Sequence, residues 1–239
     1  MTFDTTKARD EIFQRIRAAQ KRGAPEAADR AAVEGYLARH PAGPQPAAYP
    51  DLQAQFRAMA ERMASTVETV ASMSEAPAAV ARYLSGQHIA PDAVAWPALR
   101  DVAWAGAGLN VEFRPPRRDE SHGSDLVGIT GAFCAIAETG TLVLLSSADT
   151  PASTHLLPET HVAVLRADRI VATMEDVFEL LRHEQGGVER MMPRAINMVS
   201  GPSRTGDIEQ TIVLGAHGPY RVHIVVVMSG HQNLQDQAT

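Results

Sequence analysis

The sequence predicts an α/β fold in which helices lie on both faces of a mostly parallel β-sheet, preceded by an N-terminal helical arm. Short runs rich in β-branched residues occur at 141–146, 161–165 and 221–227. Unbroken apolar runs of this length are typical of strands that are buried on both faces, as in parallel sheets. A segment with helical periodicity, at 173–181, lies between two of these runs. This alternation of strands with helices is typical of layered α/β domains.

The start of the chain predicts two helices outside the sheet. An amphipathic helix is expected over about 5–22, because Ile12, Phe13 and Ile16 form one apolar patch on an otherwise charged segment. A glycine and a proline directly after it are expected to end this helix. A second, weaker helix is expected over 26–39.

Proline is concentrated in residues 41–50, which contain four prolines. Proline donates no backbone hydrogen bond and restricts the residue before it, so this stretch predicts a stiff linker and not a strand. We therefore divide the chain into an N-terminal helical arm with its proline-rich linker, 1–50, and one α/β domain, 51–239.

Asp51 is expected to cap the N-terminus of a long helix. Apolar residues recur after it at spacings of 4, 3, 4, 4 and 3, the period of one helix face: Leu52, Phe56, Met59, Met63, Val67 and Val70. A shorter helix is expected over 77–84. Residues 109–113 alternate between apolar and polar side chains, as in a half-buried strand. Thr173 and Asp176 have nearly the spacing of a capping box and predict the start of a further helix.

Composition excludes several functional classes. The formal net charge of the 239 residues is −6, so the chain lacks the basic surface that nucleic-acid binding needs. It contains no run of 18 apolar residues, so no membrane span is expected. The N-terminus is polar and leads into a charged helix rather than an apolar signal-peptide core, which predicts a cytoplasmic protein.

The single cysteine, Cys134, bounds the redox chemistry of the chain. It cannot form an internal disulfide, and it cannot supply the several thiolates of an iron–sulfur cluster. It lies in an apolar run without a basic neighbour, so a buried and unreactive thiol is expected. The nine histidines lack metal-site spacing, since His155 and His161 are six positions apart across a proline. No metal or other cofactor is therefore expected on this chain.

Three segments carry residue types suited to chemistry, and the first is Ala-Glu-Thr-Gly-Thr at 137–141. It places the Glu138 carboxylate in a tight turn directly before a predicted strand. Ligands in open α/β sheets bind beside strand ends, so Glu138 is a candidate catalytic residue. Candidate ligand-binding residues in the same turn are Thr139, Gly140 and Thr141. In the structural alternative, Glu138 binds nearby backbone amides and Gly140 permits the turn.

The second segment, Ser-Gly-Pro-Ser-Arg-Thr-Gly-Asp-Ile-Glu at 200–209, follows an apolar run that predicts a strand. Small residues let backbone amides approach an anion, and the Arg204 guanidinium is suited to bidentate binding of a carboxylate or phosphate. The candidate ligand-binding residues are Ser200, Gly201, Ser203 and Arg204. In the alternative, Asp207 caps a following helix and Arg204 pairs with an acidic neighbour.

The third segment is Leu-Gly-Ala-His-Gly-Pro at 214–219, just before the last predicted strand. The glycines beside it let His217 reach a cleft, where a histidine could act as acid or base near neutral pH. His217 is therefore the second candidate catalytic residue. The alternative is a structural histidine in a glycine-rich turn.

In this order, the three segments resemble the signature segments of the lactate-utilisation protein C family, whose shared unit is the LUD domain. The similarity extends over roughly 51–228. A short chain without clustered cysteines resembles the C member, because the B member carries the same domain fused to a cysteine-rich ferredoxin-like region.

The resemblance implies a fold similar to the sugar-phosphate isomerase and coenzyme A transferase class, a three-layer α/β sandwich. It also implies an accessory subunit of a three-protein system that oxidises L-lactate to pyruvate. The iron–sulfur clusters would lie on the two partner proteins, and none on this chain. A small carboxylate ligand would then be held near Glu138, Arg204 and His217, and the helical arm would contact partners.

The same resemblance leaves one enzymatic alternative open. Related coenzyme A transferases use a glutamate followed closely by glycine as a nucleophile that forms an acyl thioester, and Glu138 with Gly140 looks similar in type and position. No segment of the sequence specifies a coenzyme A pocket. Two hypotheses are therefore kept, an accessory subunit and an acyl- or CoA-transferase-like enzyme that uses Glu138.

Overall fold

A computed structural model describes residues 5–21, 26–45, 47–119, 123–184, 192–206 and 212–229. The chain divides into two compact units, Met1–Pro46 and Ala47–Thr239. Two predictions fall outside the described residues: the end of the first helix at 23–25 and the cap at Asp207.

The described residues form six α-helices: α1 (Thr6–Gln20), α2 (Ala27–Arg39), α3 (Leu52–Arg62), α4 (Ala76–Gly86), α5 (Ser153–Leu156) and α6 (Met174–Glu184). They also form fourteen strands: β1 (Thr66–Ser72), β2 (Asp92–Ala95), β3 (Asn110–Phe113), β4 (Arg118–Asp119), β5 (Gly123–Ser124), β6 (Val127–Gly131), β7 (Cys134–Ile136), β8 (Thr141–Leu145), β9 (Thr160–Arg166), β10 (Ile170–Val171), β11 (Ile196–Val199), β12 (Arg204–Gly206), β13 (Ile212–Leu214) and β14 (Arg221–Ser229). Of these helices, none is long and apolar enough to cross a membrane.

The N-terminal unit contains α1 and α2, close to the positions that the sequence predicts. α2 begins with a reciprocal capping box, in which the Glu26 backbone N–H donates to the Asp29 carboxylate at 3.0 Å. The residues that cap the C-terminal ends, Lys21 and His40, take the left-handed conformation. No residue of either helix is buried, and Ile12 on the apolar patch of α1 is exposed.

α3 is shorter than the sequence predicts. Asp51 caps it as expected, because its carboxylate accepts hydrogen bonds from two backbone amides of the first turn. The helix ends at Arg62, and Ala64 takes a left-handed φ of 65°. The prediction of a helix as far as Val70 is therefore wrong. β-branched residues fill the segment from Thr66 onward and favour the extended backbone of β1.

The main sheet contains six strands in the order β1-β14-β9-β6-β2-β3, and all of its pairs are parallel. The register places Arg221 opposite Thr160, and Thr66 opposite His223. The central strands β9 and β14 are buried along most of their length, which explains their unbroken apolar sequences. The predicted α/β fold with a mostly parallel sheet is confirmed.

A second sheet of four strands, in the order β10-β7-β8-β11, is mixed. β8 runs antiparallel to both β7 and β11, so the run at 141–146 is not the parallel strand that its apolar sequence predicts. The reason is the short connection between β7 and β8, residues 137–140. A connection of this length joins antiparallel neighbours, whereas a parallel pair needs a crossover of a dozen or more residues.

Side chains alternate across the second sheet, so its two faces belong to different layers. One face packs into the core of the main sheet through Ala135, Ala137, Leu142 and Leu144. The other face packs against α6 through Cys134, Ile136, Val143 and Leu145. On α6, this layer is closed by Val177 and Leu181. Each fully buried side chain of valine or leucine size contributes about 1.5–3 kcal/mol, so the layers are held mainly by apolar burial.

The start of α6 agrees with the predicted capping box. The Thr173 N–H donates to the Asp176 carboxylate at 2.8 Å, and the Asp176 N–H donates to the Thr173 hydroxyl at 3.4 Å. These bonds satisfy amides of the first turn that have no partner within a helix. The cap thus fixes where the outer helix begins.

Candidate functional site

The first candidate segment is a tight turn held from two sides. Gly140 takes a φ of +66°, and its N–H donates to the Ile136 carbonyl at 2.9 Å. A side chain at Gly140 would stand 2.3 Å from the backbone nitrogen of Ala60 in α3, so the position requires glycine. On the other side, the Glu138 N–H donates to the Ala172 carbonyl at 3.1 Å. The Glu138 side chain is half-buried in this fixed turn.

A chain of hydroxyl groups joins the first segment to the second. The Thr139 hydroxyl lies 2.6 Å from that of Thr141, which in turn lies 2.7 Å from the Ser200 hydroxyl. The pairing of β8 with β11 explains this link, because it places Val199 opposite Leu142 and therefore Ser200 beside Thr141. Thr141 is buried whereas Thr139 and Ser200 are exposed. The network thus runs from the core to the surface.

The second segment packs on the C-terminal end of α3. Gly201 takes a φ of +79°, and a side chain there would stand 2.1 Å from the Met63 carbonyl oxygen. The Arg204 guanidinium donates to the same carbonyl at 3.1 Å. A cation is favourable at a helix C-terminus, where carbonyl groups carry partial negative charge. The exposed Arg204 therefore contacts a helix end, while its acidic neighbours in sequence, Asp207 and Glu209, lie outside the described residues.

The third segment pairs with the second through a hairpin. β12 and β13 are antiparallel neighbours, with Arg204 opposite Leu214. The Ser203 N–H donates to the Pro219 carbonyl at 2.9 Å, and the Gly215 N–H donates to the Ser203 carbonyl at 2.9 Å. Ser203 is therefore held within the third segment by its backbone.

The second and third segments lie at the amino-terminal ends of the main strands. Tyr220 directly precedes β14, and its N–H donates at 2.7 Å to the carbonyl of Glu159, which directly precedes β9. Met63, which Arg204 contacts, lies just before β1. Ligands of open parallel sheets commonly bind at the carboxyl ends of the strands. The candidate surface is thus at the opposite edge of the main sheet.

The structure brings part of the candidate set together. The hydroxyl groups of the first two segments form one network, and the backbones of the last two share hydrogen bonds. Among the described residues, no hydrogen bond or ion pair joins the Glu138 carboxylate, the Arg204 guanidinium and the His217 imidazole. The catalytic roles of Glu138 and His217, and the ligand-binding roles of the other candidates, stay predictions.

His217 lies on a cleft whose other polar residues the sequence analysis missed. The cleft has a volume of about 630 Å³, and its polar lining includes Glu159, His217, Tyr220 and Arg221. The Arg221 guanidinium lies over the Tyr220 ring, 4.8 Å from its centroid. Only the pairing of β14 with β9 brings these residues together. The sequence signal for this site was His217 in its glycine-rich turn, and the position of Arg221 at the start of a predicted strand was a further one.

Three histidines outside the candidate set are buried: His155, His161 and His223. Burial lowers the pKa of His155 and His223 to about 4, and that of His161 to about 3. His161 Nε2 lies 2.8 Å from the Thr130 hydroxyl, and His223 Nδ1 lies 2.8 Å from the Thr66 hydroxyl. These imidazoles are therefore neutral at pH 7. Within the described ranges, no group of three or more His, Cys, Asp or Glu side chains is arranged to hold a metal ion.

Cys134 is fully buried, as the sequence predicts. Burial raises the pKa of its thiol to about 12, with the nearby Arg169 acting weakly in the opposite direction. A thiol with this pKa stays protonated at neutral pH, and the thiolate is the form that attacks or binds a metal. The expected unreactive thiol is consistent with this environment.

The fold and the site together define a layered α/β protein with a parallel main sheet. Two of its glycine-containing turns, at Gly140 and Gly201, pack on the C-terminal end of α3. The family model of the LUD domain matches residues 53–227. This span contains all three candidate segments. The chain belongs to the LUD domain family.

Individual relatives agree with this assignment. The lactate utilization protein C of Bacillus subtilis is 39% identical over 133 residues, which cover 55% of this chain and 53% of the relative. The protein of the same name from Halalkalibacterium halodurans is 41% identical over 101 residues, 42% of this chain and 44% of the relative. The chain thus spans about half the length of the curated relatives that it matches.

A solved structure is similar as well. The crystal structure of a DUF162 family protein from Deinococcus radiodurans is 26% identical in sequence, with a TM-score of 0.56. The similarity covers 76% of this chain and 99% of that chain. The layered fold is therefore shared over nearly the whole of that protein.

Proposed function

We propose that this chain is an accessory subunit of an iron–sulfur-dependent system that oxidises L-lactate to pyruvate in the cytoplasm. The observation that carries the proposal is the family match over 53–227, together with relatives that are named lactate utilization protein C. All three candidate segments lie inside the matched span. The names of these relatives refer to lactate utilisation, and we propose a role in the same process for this chain.

The proposed division of labour follows from cysteine chemistry. Iron–sulfur clusters are held by several cysteine thiolates, and this chain has one cysteine, whose burial raises the thiol pKa to about 12. Electrons from lactate would therefore pass to clusters on two partner proteins. This chain would supply binding and assembly surfaces, including the exposed apolar patch of α1.

Within this role, the joined segments would form a site for a small carboxylate. Arg204 has N–H groups beyond the one that it donates to Met63, and these would pair with the substrate carboxylate. The exposed His217 would accept the hydroxyl proton, with Glu138 as the alternative base. The remaining candidates would line or shape the site: Thr139, Gly140, Thr141, Ser200, Gly201 and Ser203.

The deciding experiment is an omit-one reconstitution of L-lactate-dependent dye reduction with the two iron–sulfur partners. We expect the activity to collapse when this chain is left out and to return when it is added back. Oxidation of lactate by the partners alone, at an undiminished rate, would remove the accessory role. A heat-denatured sample of the chain serves as the control for added protein.

Site variants then test the candidate residues in the same assay. We expect Glu138→Gln, Arg204→Gln or His217→Gln to lower the rate at least tenfold if the residue acts on substrate, because general acid–base groups contribute about 10²–10⁴-fold. Glu175→Gln is the matched control, since this carboxylate is exposed in the first turn of α6. Wild-type rates in all three variants would remove the site and leave only the assembly role.

A second candidate function, acyl or coenzyme A transfer, is favoured by the placement of Glu138. Its carboxylate is half-buried in a rigid turn directly before β8, and a fixed carboxylate can act as a covalent nucleophile. This function requires a glutamyl thioester that mass spectrometry detects after exposure to an acyl-coenzyme A. Full transfer activity in Glu138→Gln would exclude it.

A further inference from the structure

We infer that the cleft beside His217 binds an organic monocarboxylate with an apolar body, and that Arg221 is the residue that holds the carboxylate. The inference goes beyond the proposed function, because a carboxylate with an apolar body that fills this cleft is larger than lactate. Binding itself is a property of the chain alone and is tested without partners.

The apolar wall of the cleft is the first observation. Leu156, Leu157 and Leu214 line it and are 43%, 40% and 44% exposed. Exposed apolar residues that are scattered singly need no explanation, whereas a contiguous group within a concave surface indicates a binding site. A ligand that covers these side chains removes apolar surface from water.

The second observation is a cation that lacks an acidic partner. Among the described residues no carboxylate pairs with the half-buried Arg221. By comparison, Arg182 on α6 also has none among the described residues, whereas four other half-buried arginines each have one: Arg57 pairs with Glu61, Arg114 with Asp125, Arg166 with Asp168 and Arg169 with Glu184. The Arg221 guanidinium carbon lies 4.8 Å from the centroid of the Tyr220 ring, a favourable cation–π contact that keeps the charge beside the cleft. The planar fork of a guanidinium matches the two oxygens of a carboxylate.

Arg221 is better placed for this task than Arg204. The Arg204 guanidinium already donates to the Met63 carbonyl, at the end of α3. Arg221 lines the cleft itself, next to His217 and the three leucines. We therefore assign Arg221 to the ligand of this cleft, which is separate from the role proposed for Arg204 towards lactate.

Charge and size narrow the class of ligand. Glu159 also lines the cleft, so a dicarboxylate or phosphate dianion would bring a second negative charge towards a carboxylate. A volume of about 630 Å³ falls within the range of small-molecule sites, about 300–1,000 Å³, and exceeds what a two- or three-carbon acid fills. A monocarboxylate with an apolar body would pair with Arg221, cover the three leucines and fill the cleft.

The test is a calorimetric titration of the full chain with sodium acetate, L-lactate and sodium hexanoate. We expect hexanoate to bind at least tenfold more tightly than acetate, because each buried methylene contributes up to about fourfold. Arg221→Gln should weaken hexanoate binding at least tenfold and more than Arg204→Gln does. Arg100→Gln, an exposed arginine outside the cleft, is the matched control and should bind as the wild type does.

Leu157→Ser separates the two parts of the proposal and does not threaten folding, because this leucine is exposed. It should weaken hexanoate binding several-fold while leaving acetate binding unchanged. Equal affinity for acetate and hexanoate, or wild-type hexanoate affinity in Arg221→Gln, would overturn the proposal. If circular dichroism shows that Arg221→Gln is unfolded, Arg221→Lys replaces it in the titration. Lysine keeps the charge without the planar fork, so this variant should also weaken hexanoate binding.

The two proposals fail separately. Dye reduction that proceeds without this chain, while hexanoate binding still depends on Arg221, removes the lactate role and supports the cleft. A chain that reconstitution requires but that binds no carboxylate in titration removes the cleft and supports the accessory role.

Discussion

The hydroxyl groups of Thr141 and Ser200 lie 2.7 Å apart, although 59 positions separate the two residues in sequence. The antiparallel pairing of β8 with β11 produces this contact, since Val199 lies opposite Leu142. The exposed Thr139 continues the network from Thr141 at 2.6 Å. One buried hydroxyl therefore joins two of the three segments that carry the family resemblance.

We expect Thr141→Val to lower the free energy of unfolding by about 1 kcal/mol, the usual net value of an internal hydrogen bond. Valine keeps the shape and the strand preference of threonine but removes the hydroxyl that two neighbours share. Ser200→Ala should lower it by less, because Thr141 keeps its contact with Thr139. Urea denaturation measures both.

Ser85→Ala is the matched control for these two variants. This serine is exposed in α4, so its loss should change the free energy of unfolding by less than about 0.5 kcal/mol. A larger effect in Ser200→Ala than in Thr141→Val would contradict the assignment of Thr141 as the centre of the network.

Two glycines clamp the last turn of α3, and both should resist substitution. A Cβ atom at Gly140 would stand 2.3 Å from the Ala60 nitrogen, and one at Gly201 would stand 2.1 Å from the Met63 carbonyl oxygen. Both glycines also take a positive φ. We expect Gly140→Ala and Gly201→Ala each to lower the free energy of unfolding by more than about 2 kcal/mol, because backbone atoms must move and the residue is strained.

Gly106→Ala provides the control for the glycine pair. Nothing lies within 4 Å of a Cβ at Gly106, and its φ is not positive, so we expect a change within about 0.5 kcal/mol. Equal midpoints in urea for all three alanine variants would show that the contact with α3 is not close.

The fold class could be predicted from local patterns, but the boundary between α3 and β1 could not. Val67 and Val70 continue the helical spacing of the preceding residues, and valines three positions apart fit either a helix or a strand. The long-range pairing of β1 with β14 makes this segment a strand, and it places Thr66 opposite His223. A single sequence carries no local signal for that partner.

The candidate site, like the fold, could be predicted only in part from the sequence. The order of the three segments, and the turn at Gly140, could be predicted from residue types. The contact of Arg204 with Met63 and the approach of Arg221 to the cleft arise from strand pairing and packing across long distances in sequence. Residue spacing along the chain does not encode such contacts, so the polar residues of the cleft other than His217 were missed.

Cys134 should not react with a water-soluble thiol reagent in the folded protein. Its side chain is fully buried and burial raises the thiol pKa to about 12, so the thiolate is scarce and inaccessible. With 5,5′-dithiobis(2-nitrobenzoic acid) at pH 7.5, we expect negligible release of the coloured thiolate from the folded protein. In 6 M guanidinium chloride the thiol is exposed and its pKa returns to about 8.5, so we expect one equivalent to be released. Rapid labelling under native conditions would contradict the buried layer between the second sheet and α6.

Folding stability should fall as the pH drops below about 6.5. Burial lowers the pKa of His155 and His223 to about 4 and that of His161 to about 3, from an ordinary value of 6.5. Between pH 6.5 and 4 the unfolded chain takes up protons at these sites and the folded chain does not, so protonation favours unfolding. Each histidine should then remove up to about 1.4 kcal/mol per pH unit, and none above pH 7.5. Urea denaturation at pH 7.5, 6.5 and 5.5 measures the slope.

The variant His155→Leu isolates one of the three contributions. Leucine fills the same buried position without a titratable group, so the loss of stability between pH 6.5 and 5.5 should be smaller than in the wild type, whatever the effect on stability at pH 7.5. His183→Gln is the control, because this histidine is exposed on α6 and should leave the slope unchanged. Identical slopes in His155→Leu and the wild type would mean that the imidazole is protonated equally in both states, and the buried neutral form would have to be abandoned.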